Sequence, residues 1–209
     1  GHRQDLEFEM LFRYFPKPAF VPQKSGAYFR VELGSGLFLY YIERFAETYL
    51  GFIRPVRCHC VKGVGDAMVF AERQLKATHL VDVATLTGIA YSAFGGEVAG
   101  SCGTNPEFLA ETHLAARRAG EVYWPYPLAD AYAKNMETWS ADMQNSGTRE
   151  ASLIRSGLFL REFTTVPWVH LDIAGTAYRR SNAPWAGRGS TGAAHSTLVE
   201  LAMGGGVRR

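Results

Sequence analysis

The chain has 209 residues, 47% of them hydrophobic and 20% charged, with 22 basic against 20 acidic side chains and a net charge of +2. That apolar content is enough for a core burying roughly 70% of the surface an unfolded chain exposes, which excludes a mainly disordered polymer. The balanced charge leaves no footprint for nucleic acid or an anionic membrane, and Cys58, Cys60 and Cys102 are too few for a secreted disulfide framework.

The first twenty residues mix charges with aromatics and lack the apolar run of a signal peptide. The greasiest stretch, Gly36 to Ile42, meets Glu43, Arg44 and Glu47 before it reaches membrane-spanning length, so the expectation is a soluble cytoplasmic protein. Thirteen of the 27 aromatic residues fall in the first 52 positions, and Pro16, Pro18 and Pro22 bar a regular element from running through there. Alternation of Tyr28, Arg30 and Glu32 with Phe29, Val31 and Leu33 predicts a half-buried strand over 26–33. Ser35 is placed to cap a helix with the apolar stripe Phe38, Tyr41, Ile42, Phe45 and Tyr49, stopped at Gly51.

Further on, Ala67, Phe70, Ala71 and Leu75 recur at helical spacing over 65–76. The continuous apolar run from His79 to Thr85 predicts a strand covered on both faces. A helix over 106–119 ending at Gly120 comes next, then a short strand over 122–124. Thr148 is placed to cap a helix over 149–163, followed by a buried strand over 168–173 and a last helix over 192–203. Such alternation predicts helices packed on a largely parallel sheet.

Few side chains stand out as chemistry in isolation. Asp82 and Asp172 fall inside apolar strands and are expected to be buried hydrogen-bonding groups, since an unpaired buried carboxylate is costly. Asp142 and Asn145 are expected to fix a loop. Cys58-His59-Cys60 offers soft ligands for zinc or copper, but three consecutive residues rarely converge on one ion and no second pair lies nearby. His113 and His195 read as ordinary helix residues, and no Gly-x-Ser-x-Gly elbow is present.

Three segments carry a resemblance: Val81-Asp-Val-Ala-Thr-Leu-Thr-Gly88, Ala141-Asp-Met-Gln-Asn-Ser-Gly147 and His170-Leu-Asp-Ile-Ala-Gly-Thr-Ala177. In order and spacing they resemble the leucyl (cytosol) aminopeptidase family. Trp124-Pro-Tyr-Pro-Leu128, Ser156-Gly-Leu-Phe-Leu-Arg-Glu-Phe163 and Gly189-Ser-Thr-Gly192 support it, and the similarity runs from about Asp66 to Met203. It implies the C-terminal half of a catalytic domain of α/β class, with a mixed central sheet flanked by helices. It also implies a homohexamer that removes N-terminal residues from peptides with two divalent metals (manganese, zinc or magnesium). Two close cations in such a site activate a bridging water and polarise the scissile carbonyl, and converging carboxylates hold them. By the same resemblance Thr85, Leu86 and Gly88 line the substrate site, and Ala174 and Ala177 line the pocket for the N-terminal side chain.

The family draws its metal ligands from an upstream lysine and two aspartates and from an Asn-Thr-Asp-Ala-Glu-Gly-Arg segment. Counted back from Asp66 without gaps, that segment's aspartate falls on Arg57, its glutamate on His59 and its catalytic arginine on Val61. An arginine at a cation-ligand position repels the ion. No catalytic residue, metal ligand or bound metal is therefore expected in this chain. The reading that follows is a truncated or frame-shifted, inactive form, with 1–60 divergent or out of frame and 61–209 a partial catalytic domain. A catalytically silent binding or oligomer-assembly module and an active enzyme with relocated ligands are the alternatives.

Overall fold

The computed structural model describes residues 63–203 except 146 and 185, together with the backbone course of 21–23, 26–33, 36–42 and 57–62. In chain order the strands β1 (Val21–Gln23), β2 (Gly26–Leu33) and β3 (Gly36–Ile42) precede helix α1 (Arg57–Arg73) and strand β4 (His79–Ala84). Helix α2 (Gly88–Phe94), β5 (Ala99–Gly103), α3 (Pro106–Ala119) and β6 (Tyr123–Pro125) come next, then a 3-10 helix over Asp130–Met136. The remainder is α4 (Ser152–Arg161), β7 (Trp168–Asp172), the two-residue strands β8 (Tyr178–Arg179) and β9 (Gly189–Ser190), and α5 (His195–Ala202).

Local chemistry sets several of these boundaries. Asn105 caps α3 by accepting from the Phe108 amide at 2.7 Å, Pro106 supplies a φ already suited to the first turn, and Gly120 closes the helix in the left-handed conformation. Thr87 caps α2 in the same way through the Ala90 amide. β4 and β7 are buried at nearly every position, as strands covered on both faces must be.

Seven strands form one sheet in the order β1-β2-β3-β4-β7-β5-β6. β3, β4 and β7 run parallel to one another. β5 and β6 are mutually parallel but antiparallel to β7, and β1-β2-β3 is an antiparallel meander. The sheet is thus mixed, as the family resemblance implies, and not the largely parallel one that the alternation of elements suggests. Paired residues share a face. One face bears Leu80, Ala84 and Trp168 and packs under Val64, Ala67, Met68 and Ala71 of α1 and Leu158 and Leu160 of α4. The other bears Val81, Val83, Val169 and Leu171 and packs under Phe108, Ala115 and Ala116 of α3 and Leu198 and Leu201 of α5. Among the described residues no helix is long and apolar enough to cross a membrane.

The helix expected after Ser35 is instead strand β3 as far as Ile42; Phe45 and Tyr49 lie outside the described residues. Leu37-Phe-Leu-Tyr-Tyr-Ile42 is an apolar run whose period does not discriminate, and its aromatic and β-branched residues suit a strand. The choice also follows from the fold, because β3 in register with β4 satisfies backbone groups along an edge that a helix would leave open. The expected helix over 149–163 is shorter: Ala151, with φ of 50°, precedes α4, and Thr148 is not its cap. The Thr148 carbonyl and hydroxyl instead accept from the buried Arg155 guanidinium.

Candidate functional site

β4 and β7 are neighbours and parallel, so their C-terminal ends lie together at one edge of the sheet, where open α/β sheets bind ligands. The ladder ends at the Ala84–Asp172 pair, and the Ile173 amide donates to the Ala84 carbonyl at 3.0 Å as one further rung. Thr85 and Leu86 then lead through Thr87 into α2, which Gly88 opens. On the other strand, Ile173 to Ala177 forms a turn in which the Thr176 and Ala177 amides both donate to the Ile173 carbonyl. The five residues singled out from the sequence therefore sit on two adjacent loops.

Asp172 fastens those loops to each other. It is fully buried, and its two carboxylate oxygens are shared between them. The Thr87 hydroxyl donates to Oδ2 at 2.6 Å and the Ala174 amide to Oδ1 at 3.1 Å. Burial raises the Asp172 carboxyl above its ordinary range, even though His170 and the bonds from Thr87 and Ala174 pull the other way. From outside, Thr191 ties down the second loop: its hydroxyl donates to the Thr176 carbonyl at 2.6 Å and its amide to the Ala177 carbonyl. Gly175 is obligatory here, since a Cβ on it would lie well inside 3.0 Å of the Gly95 carbonyl oxygen. Leu86 and Ala174 are partly buried and pack against the core, whereas a Cβ on Gly88 would meet nothing within 4 Å. The result is a surface of backbone, threonine, leucine and alanine on two loops joined by Asp172, with open space at Gly88.

Behind this wall lies a buried polar pair. His170 Nδ1 donates to Asp82 Oδ1 at 2.6 Å and Trp168 Nε1 donates to Asp82 Oδ2, also at 2.6 Å, all three side chains being buried. Burial alone pulls the His170 imidazole down, but the charge and hydrogen bond of Asp82, with Asp172, outweigh it and raise its pKa. Cys102, facing His170 across the sheet, is a free buried thiol pushed far up by burial.

These carboxylates are engaged in structural hydrogen bonds, as expected of Asp82 and Asp172. Among the described residues no three His, Cys, Asp or Glu side chains converge as metal ligands do. Cys58, His59 and Cys60 fall on α1, where successive positions diverge around the axis, and their side chains lie outside the described residues. Asp142 is exposed; the nearby loop is held by Gln144, whose amides reach the Asn135 and Met136 carbonyls. His113 is more engaged than an ordinary helix residue, its Nε2 lying 2.8 Å from the Ser101 hydroxyl. Thr87 and Thr191 were not legible as site residues. Thr87's position before an apolar helical run signals only a cap, and Thr191's role needs the hairpin to fold back.

The family model described as the cytosol aminopeptidase family, catalytic domain, matches residues 64–199. The chain is 38% identical over 141 residues to the probable cytosol aminopeptidase of Gloeobacter violaceus, covering 67% of this chain and 28% of that protein. It is 43% identical over 118 residues to that of Treponema denticola, covering 55% of this chain and 25% of the relative. Among solved structures, a mutant of tomato leucine aminopeptidase superposes with a TM-score of 0.65 at 33% identity, over 70% of this chain and 28% of that one. The chain thus spans little more than a quarter of the length of the relatives it matches.

Proposed function

Because the chain belongs to the cytosol aminopeptidase family, we propose that residues 64–203 form the peptide-binding wall of such a catalytic domain and that this chain does not itself hydrolyse peptides. The observation that carries the binding part of the reading is the pair of loops that Asp172 joins, and the absence of hydrolysis is proposed from the sequence. Two rigid loops converge at the strand ends, while the nearby carboxylates are spent on Trp168, His170, Thr87 and Ala174. The occupants of the family's ligand positions, Arg57, His59 and Val61, support the same conclusion from the sequence. Peptides are the proposed ligand, with Thr85, Leu86 and Gly88 along the backbone and Ala174 and Ala177 against the N-terminal side chain. Further copies of the chain are the proposed partner and the cytoplasm the proposed compartment.

The wall works by position. Amide and carbonyl groups on two loops pinned by one buried carboxylate hold a peptide without moving, and small side chains leave room for an apolar first residue. Titrating the labelled chain with leucyl-leucine amide tests this by amide chemical shifts. The expected response is confined to 85–88 and 174–177, and shifts distributed elsewhere with those amides unmoved would refute the wall.

A further inference from the structure

We propose that Arg180 at the rim of this wall recognises a carboxylate of the bound peptide; the inference rests on the reading of the two loops as a peptide wall. The Arg180 guanidinium carbon lies 5.1 Å from the centre of the Tyr91 ring. Tyr91 stands one helical turn beyond Gly88 on α2, and its Cα lies 3.4 Å from where a Cβ on Gly175 would be. Arg180 follows Ala177 by three residues. Each member of the pair thus stands three residues beyond one of the two wall loops. Both side chains are exposed, Tyr91 by 45%.

The ring lies beneath the guanidinium and offers it no acceptor, so its N–H donors remain for a planar partner such as a carboxylate. Among the described residues no carboxylate pairs with Arg180, whereas the adjacent Arg179 is engaged by Glu97 at 3.6 Å. A second observation concerns Arg188. Arg180 directly follows β8 and Arg188 directly precedes β9, so two exposed arginines flank the same end of the β8–β9 pair. Like charges at the same end of a strand pair repel, and an anion between them relieves the repulsion. No acid of the same segment offsets them, since residues 173–199 contain three arginines and no aspartate or glutamate. The carboxylate has two natural sources, an acidic side chain or the C-terminus of a short peptide.

Three ligands distinguish the outcomes in amide titrations of the full chain: leucyl-leucine, leucyl-leucine amide and leucyl-glutamate α-amide, whose side-chain carboxylate stays free. One or both carboxylate-bearing peptides are expected to bind about three- to five-fold tighter than the neutral amide at low ionic strength, with the advantage shrinking in salt. A gain for the first alone assigns the C-terminal carboxylate; a gain for the third alone assigns an acidic side chain. The preference is expected to vanish in Arg180→Ala and to be partly kept in Arg180→Lys, with near-ultraviolet dichroism verifying the fold. Equal binding of all three peptides, or a preference that survives Arg180→Ala, overturns the proposal and leaves the wall intact. Failure of the neutral amide to bind at the wall removes both.

Discussion

Asp82 and His170 sit at paired positions of β4 and β7, so a carboxylate and an imidazole meet where no water reaches them. Their pair depends on pH in a defined direction. His170 has a raised pKa in the folded protein, so its stabilising contribution is full below about pH 6.5, the unfolded value, and is lost as pH rises through the folded value. The raised Asp172 carboxyl has the same sign over a window that begins near pH 4. Removing one partner of a buried pair typically costs about 3–5 kcal/mol, and Asp82→Asn also weakens the bond from Trp168. Urea unfolding at pH 6 is expected to show that loss, and the decline in stability above pH 6.5 is expected to flatten in the variant. A decline of undiminished slope would place its origin elsewhere. That Asp82 and Asp172 are buried was legible from their places inside apolar runs. Their partners were not, because Trp168 and His170 meet Asp82 only once β4 and β7 are neighbours.

At the level of elements, the N-terminus of α5 is held by a residue far away in sequence. The Glu121 carboxylate accepts from the Ala194 and Thr197 amides and from the Thr197 hydroxyl, satisfying donors that a helix start leaves open. No side chain of α5's own N-cap, Ala194, does this. Glu121→Ala strands the fully buried Thr197 hydroxyl and is expected to cost about 2 kcal/mol, read as a shifted urea midpoint at unchanged slope. A variant within a few tenths of wild type would show that water replaces the carboxylate. Helix α3 was legible because Asn105, Pro106 and Gly120 punctuate it. β5 was not, because Ala-Gly-Ser-Cys-Gly has low strand propensity. Its glycines answer to packing: a Cβ on Gly103 would stand 2.6 Å from the Trp168 carbonyl oxygen, and one on Gly100 3.1 Å from the Tyr126 ring. β3 was misread for the complementary reason, since its apolar run fits either period until the open edge of β4 selects a strand.

Across the whole molecule, helices on two faces of a mixed sheet hold the ends of β4 and β7 rigid, and the wall lies at that end. The family was legible because three motifs stand in register. The proposed wall residues rest on that resemblance alone, since nothing about threonine, leucine, glycine or alanine announces binding. The central claim separates holding a peptide from cutting it. Hydrolysis of leucyl-p-nitroanilide by the purified chain, with manganese or zinc added in excess, tests it most directly. The account predicts a rate indistinguishable from the metal-only control under conditions where leucyl-leucine amide still shifts the amides of 85–88 and 174–177. Metal-dependent turnover that a chelator abolishes and fresh metal restores would contradict it.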